Sequence, residues 1–119
     1  MGYLNRVILT GRLTADPELK LTDKEVPVAH FRVAAHRPWK NAEGKHDADF
    51  INISAWNGLA KVCGDHLKKG QMVALEGRLQ VSSYEKNGQK LTYTEVVADN
   101  LHMVDFKTYT DAEKVAVAA

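Results

Sequence analysis

The sequence has little of what characterises secreted or membrane proteins. Its 119 residues include a single cysteine, Cys63, so an intramolecular disulfide cannot form and a disulfide-rich secreted scaffold is excluded. The apolar run near the N-terminus, residues 7–9, is too short for a signal peptide. No run approaches the roughly 20 apolar residues that span a bilayer. These absences predict a cytoplasmic protein that does not contact membranes.

The sequence also lacks an excess of one charge and lacks the common catalytic motifs. Its 16 basic and 15 acidic residues leave a net charge of +1, so any binding of a polyanion must come from the local arrangement of charges. The five histidines show no ligand spacing, and neither a phosphate-binding glycine loop nor a nucleophile elbow is present. We therefore expect no enzyme, no metal site and no cofactor.

What is present is a series of strand patterns interrupted by one helical pattern. The predicted strands span residues 4–13, 26–37, 48–56, 72–86 and 89–104. Residues 14–19 contain Asp16-Pro17 and are predicted to form a turn, and Pro38 is predicted to end the second strand before a polar loop at residues 39–47. Asn87-Gly88 is the strongest hairpin signal, because both positions of a type I′ turn need positive φ.

Between the third and fourth strands, apolar residues recur at helical spacing. The predicted buried stripe of this helix is Leu59, Val62, Cys63, His66 and Leu67. Asn57 is the expected N-cap and Gly70 the expected C-cap. Three strands, a helix and two long strands predict an all-β fold, a five-stranded OB-fold barrel with one short helix between strands three and four. This domain would span residues 1–106, followed by a short disordered tail at residues 107–119.

The third strand carries the most informative alternation. Ile51, Ile53 and Ala55 form an apolar face, whereas the opposite face consists of Phe50, Asn52, Ser54 and Trp56. Trp39 and Tyr84 likewise fall outside the predicted core. Cations are interleaved with these four rings, at Arg37, Lys40, Lys45, Arg78, Lys86 and Lys90. Exposed rings among cations predict binding of single-stranded nucleic acid, in which bases stack on the rings and phosphates meet the cations.

Other interpretations of the same residues stay open at this stage. Aromatic residues on strands usually pack in a core, and Phe50 and Trp56 could instead form a subunit interface. Tyr3, Phe31 and Tyr93 are assigned to packing. An OB-fold module that binds a protein partner is the second hypothesis. A third, an OB-fold nuclease, would need a carboxylate–metal cluster that the sequence does not supply.

Six segments together resemble the bacterial-type single-stranded DNA-binding proteins. They are residues 5–13 (NRVILTGRL), 16–19 (DPEL), 48–52 (ADFIN), 67–70 (LKKG), 76–79 (EGRL) and 94–96 (TEV). The resemblance implies an OB-fold that assembles as a homotetramer and binds single-stranded DNA in replication, recombination and repair. It also implies a non-enzymatic protein of the cytoplasm, associated with the nucleoid.

The resemblance also implies roles for individual residues. The family's base-stacking aromatics fall on Trp39, Phe50, Trp56 and Tyr84, and its backbone-contacting cations on Arg6, Lys20 and Lys69. Together with Arg37 and Arg78, these residues are the predicted DNA-binding set. Residues 80–83 (QVSS) depart from the family, whose members are often basic there, so we expect fewer phosphate contacts and a shallower salt dependence.

The C-terminal residues depart from the family pattern as well. Members that act in general replication usually end in a long linker and an acidic tip that recruits repair proteins. Here Asp111 and Glu113 are offset by Lys107 and Lys114. Recruitment of repair proteins through a tail is therefore not expected. The sequence is either truncated or that of a tail-less relative, such as those of phages, plasmids or natural competence.

Overall fold

Strands dominate the computed structural model, which describes residues 3–104. The elements in chain order are β1 (Val7–Leu13), β2 (Glu18–Leu21), β3 (Pro27–Lys40), β4 (His46–Trp56), α1 (Gly58–His66), β5 (Met72–Lys86) and β6 (Gln89–Val104). The predicted tail at residues 107–119 lies outside the described residues.

The strands form a barrel that is closed by β1. The sheet order is β1-β5-β6-β4-β3-β2, and β1 pairs with β3 as well as with β5. Gly11 permits this closure, since a Cβ there would lie 2.7 Å from the carbonyl oxygen of Ala34. The predicted five-stranded barrel with one helix between its third and fourth strands is confirmed, its strands being β1, β3, β4, β5 and β6.

The short strand β2 was not expected, because residues 14–19 were predicted to form a turn. β2 pairs with β3 from Glu18 opposite His30 to Leu21 opposite Pro27. All four of its residues are exposed, so the sequence shows no alternation of apolar and polar residues that would predict a strand here. Backbone hydrogen bonds to β3 hold β2 in place, and backbone pairing cannot be recognised from a side-chain pattern.

Pro38 does not end the second predicted strand. β3 continues through it to Lys40, and its register with β4 shifts between His36 and Lys40. A proline has no N–H for the ladder and is tolerated in a strand at such an irregularity. Trp39 therefore lies in a strand, not in the predicted loop.

The long hairpin of β5 and β6 has the predicted bounds. Asn87 and Gly88 at its turn have φ values of 53° and 78°, as a type I′ turn requires. β4 begins two residues earlier than predicted, and β1 begins at Val7 instead of residue 4. Ahead of β1, the Asn5 side chain donates from Nδ2 to the Leu79 carbonyl (2.9 Å) and accepts at Oδ1 from the Leu79 N–H (2.8 Å).

The core lies inside the barrel and is built from the apolar faces of the strands. Its buried members are Leu13, Ala29, Phe31, Val33, Ile53, Ala55, Ala60, Cys63, Leu67, Val73, Leu75, Val96 and Ala98. The predicted apolar face of β4 is confirmed as inward, because Ile53 and Ala55 are buried, and Ala29 and Val33 of β3 are completely buried beside it.

Helix α1 packs against β3 and β4 of the barrel. Its buried residues are Ala60 and Cys63. The predicted stripe was partly wrong, since Val62 and His66 are exposed. The small Ala60 carries the inward face and gives little signal in a hydrophobic pattern. Gly64 brings the helix close to β2, because a Cβ there would lie 3.0 Å from Cδ2 of Leu19. Among residues 3–104, no helix is long and apolar enough to cross a membrane.

The predicted N-cap is confirmed and the predicted C-cap is wrong. Asn57 is the N-cap of α1, with φ 59° and without a side-chain capping hydrogen bond among the described residues. The C-cap is Leu67 instead of Gly70, and its N–H donates to the Cys63 carbonyl. Gly70, at φ 87°, belongs to the following turn, where its N–H donates to the Leu13 carbonyl (2.8 Å).

The buried Cys63 thiol is expected to be unreactive in the folded protein. Burial raises its pKa to about 11, so the reactive thiolate is scarce at pH 8. We expect a disulfide reagent such as DTNB to modify Cys63 slowly at pH 8 and rapidly once urea unfolds the barrel. Rapid modification without denaturant would contradict the position of Cys63 in the core.

Candidate nucleic-acid interface

Strand register builds one continuous outer face from β3, β4, β6 and β5. Arg32 on β3 lies opposite Asn52 on β4, and Gln80 on β5 lies opposite Glu95 on β6. In the parallel pairing of β4 with β6, Ile53 lies opposite Val96. The preceding residues, Asn52 and Glu95, are therefore level with each other. These four side chains form a line across the outer face, here called the polar row.

Aromatic rings flank the polar row on both sides. Phe50 and Trp56 lie on the same side of β4, six residues or about 20 Å apart along the strand. Their side chains are 62% and 37% exposed, respectively, so neither packs in the core of this chain. Tyr93 on β6 lines a groove with Arg32 and Asn52, and is 39% exposed.

Trp56 lines a groove together with Arg78. The groove also contains Leu59, Gln80, Val97, Ala98 and Asp99. The indole Nε1 of Trp56 donates to Oγ of Ser54 (3.2 Å), and Ser54 is completely buried. Within residues 3–104, the Arg78 side chain makes no hydrogen bond or ion pair. Its charge is therefore available to an anionic ligand in this groove.

Tyr84 and Trp39 mark two further places on or beside the face. Tyr84 lies on the β5–β6 hairpin, on the same side of β5 as Arg78, and is 47% exposed. The hairpin beyond Gln80 is mostly exposed on both sides, so it forms an arm. Trp39 is 62% exposed and lies near the end of β3, beyond the residues that pair with Phe50.

Arg37 is held away from the outer face. Its Nε and Nη2 donate to the two carboxylate oxygens of Asp49, at 3.1 and 2.8 Å. The same hydrogen bonds lower the pKa of Asp49 below its usual value. Because Asp49 and Phe50 are adjacent on a strand, they point to opposite sides of β4. The structure therefore does not bring Arg37 together with the aromatic rings of β4.

Arg6 reaches the rim of the Trp56 groove but is paired there with two carboxylates. Its guanidinium donates to Asp99 at 2.6 Å and to Glu76 at 2.9 Å, and these hydrogen bonds raise its pKa. Asp99 itself lines the groove beside Trp56. A phosphate that binds Arg6 must therefore compete with these two carboxylates.

The two predicted lysines lie further out. Lys20 on β2 is opposite Val28 of β3, which is opposite Trp56, and it pairs with Glu18 at 3.1 Å. Lys69 lies in the exposed turn after α1, where its backbone N–H donates to Oδ1 of Asp16 (2.8 Å). Lys20 is thus in line with Trp56, whereas Lys69 is not on the four-strand face.

The sequence analysis missed two residues of the outer face, Arg32 and Tyr93. Nε of Arg32 donates to Oδ1 of Asn52 (3.2 Å). The pKa of Tyr93 is raised, first by burial and then by the Glu95 carboxylate, while Arg32 opposes the shift. Arg32 stands between the apolar Phe31 and Val33 in the second predicted strand, and this alternation is a signal for an exposed position. The sequence assigns Tyr93 to packing, and only strand pairing shows its place on the face.

No cluster of three or more histidine, cysteine or acidic side chains that could hold a metal ion occurs within the described part of the chain. Carboxylates on the outer face and its rim include Glu95, Glu76 and Asp99. The last two accept hydrogen bonds from Arg6. The face therefore offers rings, hydrogen-bonding groups and cations to a ligand.

Comparison with known sequences gives a consistent family. The model of the single-strand binding protein family matches residues 4–104. The single-stranded DNA-binding protein of Oceanobacillus iheyensis is 45% identical over 105 residues, covering 87% of this chain and 65% of that protein. The Staphylococcus aureus protein of the same name is 45% identical over 112 residues, covering 93% and 72%. The Halalkalibacterium halodurans protein is 44% identical over 103 residues, covering 86% and 61%. The chain thus spans about two thirds of these relatives.

Comparison with solved structures supports the predicted OB-fold. The SSB of Plasmodium falciparum, solved in complex with ssDNA, superimposes with a TM-score of 0.78 at 24% identity. The match covers 88% of this chain and 98% of that one. The match of the family model over residues 4–104 and the 45% identity to the Staphylococcus aureus protein show that the chain belongs to the single-strand binding protein family.

Proposed function

We propose that this protein binds single-stranded DNA by stacking bases on exposed rings while cations neutralise the phosphates. The observation that carries the proposal is the outer face itself, where Trp56 and Phe50 lie exposed on one side of one strand. Unpaired bases stack on such rings whatever their identity, because every base has a π face. Binding of this kind requires no particular sequence.

The geometry supports a path for the strand across the face. It would run from the groove of Trp56 and Arg78, past the polar row, to Phe50 and then toward Tyr84 on the arm or Trp39. Arg78 would contact phosphate directly. Three further cations would each exchange the carboxylate of their ion pair for a phosphate, namely Arg6, Lys20 and Arg37. Lys69 would contact DNA that leaves the face.

We further propose that the protein acts in DNA replication, recombination and repair as a homotetramer associated with the nucleoid. The family supports these roles. Exposed apolar side chains near and within β1, including Tyr3, Leu4 and Ile8, support association between copies, because such groups are often covered in an oligomer.

A fluorescence titration with oligo-dT at several salt concentrations tests the proposed binding. Stacking is expected to quench tryptophan emission. The logarithm of the binding constant should fall linearly with the logarithm of salt concentration, with a slope of about −0.7 per phosphate contacted. Because residues 80–83 contain no cation, a variant with Gln80→Arg and Ser82→Arg is expected to show a steeper slope.

Duplex DNA of the same length is the control ligand, because its bases are already stacked on each other. Unchanged emission and no binding of oligo-dT at low salt would contradict the proposed function. Equal affinity for the duplex would show that the cations act without the rings.

A further inference from the structure

The polar row contains a buried carboxylate that the stacking mechanism does not use. Glu95 is only 6% exposed, and its Oε2 has no hydrogen-bond partner among the described residues. Leaving a buried oxygen unsatisfied is costly, because its desolvation is not compensated, so native proteins rarely do so without a reason. A ligand that donates hydrogen bonds to Glu95 would remove this cost.

Glu95 lines a cavity together with Phe50 and Asn52. The cavity has a volume of about 310 Å³, and its mainly apolar walls include Val7, Leu9, Ile51 and Val96, which lie on the core side of their strands. This volume lies within the range of small-ligand pockets. A phosphate is disfavoured beside a carboxylate, because the two negative charges repel each other. Of the parts of a DNA strand, the edge of a base is therefore the one that fits beside Glu95.

Asn52 supplies the complementary hydrogen-bonding group. Its Oδ1 already accepts a hydrogen bond from Nε of Arg32 (3.2 Å), so its Nδ2 hydrogens remain to donate. The lining of the cavity thus includes a carboxylate, which accepts hydrogen bonds, at Glu95 and an amide that can donate them at Asn52.

We infer that this cavity is a subsite selective for guanine, an inference that rests on the proposed binding of single-stranded DNA. The Watson–Crick edge of guanine carries two adjacent donors, N1–H and N2–H, which match the two oxygens of Glu95. Its O6 then accepts from Asn52. Thymine has one donor, N3–H, between two carbonyl oxygens. Adenine and cytosine have an amino group next to a ring nitrogen that carries a lone pair. In each of these three bases a lone pair would therefore lie opposite one carboxylate oxygen and be repelled by it. The protein therefore binds any sequence but holds guanine more tightly at this position.

The test compares oligo-dT strands that carry isolated dG residues with the same strands carrying deoxyinosine, which lacks the N2 amino group. Isolated guanines avoid quadruplex formation. Wild-type protein is expected to bind the dG strand at least about fivefold more tightly, the effect of one good base-edge contact. In Glu95→Gln this preference should disappear, because the amide offers one acceptor and a competing donor. Glu43→Gln, in the exposed loop between β3 and β4, is the matched control and should retain it.

The outcomes separate this inference from the proposed function. Tight binding of oligo-dT with equal affinity for dG and deoxyinosine strands would overturn the guanine subsite alone. Retained preference in Glu95→Gln would overturn it too. A change in assembly mass of Glu95→Gln by light scattering, without any dG preference in wild type, would show that Glu95 pairs with a second copy instead. Failure of the wild type to bind oligo-dT would overturn the proposed function itself. If Glu95→Gln does not fold, the wild-type comparison decides.

Discussion

Replacing Trp56 by alanine is expected to weaken oligo-dT binding by about 1–3 kcal/mol, or roughly 5- to 150-fold. The ring is 37% exposed and lies in the groove beside the unpaired Arg78, so its loss removes a stacking surface next to a phosphate contact. Trp56→Phe should recover most of the affinity, because a flat ring remains. Anisotropy of a labelled oligonucleotide measures the effect without depending on tryptophan emission.

Val62→Ala is the control for the Trp56 substitution. It trims another exposed apolar side chain, 41% accessible, on helix α1, which belongs neither to the outer face nor to the apolar surface near β1. Its affinity for oligo-dT should equal that of the wild type. If Trp56→Ala left the affinity unchanged but altered the assembly mass, the ring would belong to a subunit interface and the stacking role would be wrong.

Replacing Gly77 by alanine is expected to lower the free energy of unfolding by about 3 kcal/mol, near the upper end of typical overpacking effects. A Cβ at this position would lie 2.2 Å from the Val97 carbonyl oxygen and 3.0 Å from Cα of Ala98. Both are backbone atoms of β6 and cannot rotate away as a side chain can. The glycine also adjoins the register shift between β5 and β6, so the two strands would have to separate locally.

Urea denaturation followed by circular dichroism measures this loss of stability. Gly58→Ala is the matched control, because no heavy atom lies within 4 Å of the added Cβ and the position is in helix α1. Alanine favours a helix over glycine, so this variant should be unchanged or more stable by up to about 1 kcal/mol. Equal unfolding midpoints for the two variants would contradict the close approach of β5 and β6.

The elements predicted best are those with strong local signals. The bounds of β5 and β6 follow from alternation on both sides of Asn87-Gly88, whose backbone conformation few other residues adopt. Prediction failed where tertiary pairing outweighed local signals. β2 consists of exposed residues that are held by β3, and Pro38 is accommodated by a register shift. In α1, the small Ala60 faces the core, whereas the hydrophobic pattern predicted inward positions for the larger Val62 and His66.

The candidate interface was predictable in its rings but not in its charges. Phe50 and Trp56 could be placed outside the core because alternate residues of one strand point to opposite sides, and Ile53 and Ala55 already occupy the inward side. The charge partners depend on distances between strands far apart in sequence. Arg6 and Arg37 contact carboxylates on β5, β6 and β4, whereas Arg78 contacts no carboxylate between residues 3 and 104.

The sequence by itself determined the barrel, the helix between its third and fourth strands, and the outward position of the β4 rings, because periodicity and turn chemistry act over a few residues. Only the tertiary structure decided which side chains share the outer face. The parallel pairing of β4 with β6 places Asn52 level with Glu95, and so joins the β3–β4 pair of Arg32 and Asn52 to the β5–β6 pair of Gln80 and Glu95. No local pattern encodes the pairing of β4 with β6, since Asn52 and Glu95 are tens of positions apart and meet only when the sheet forms.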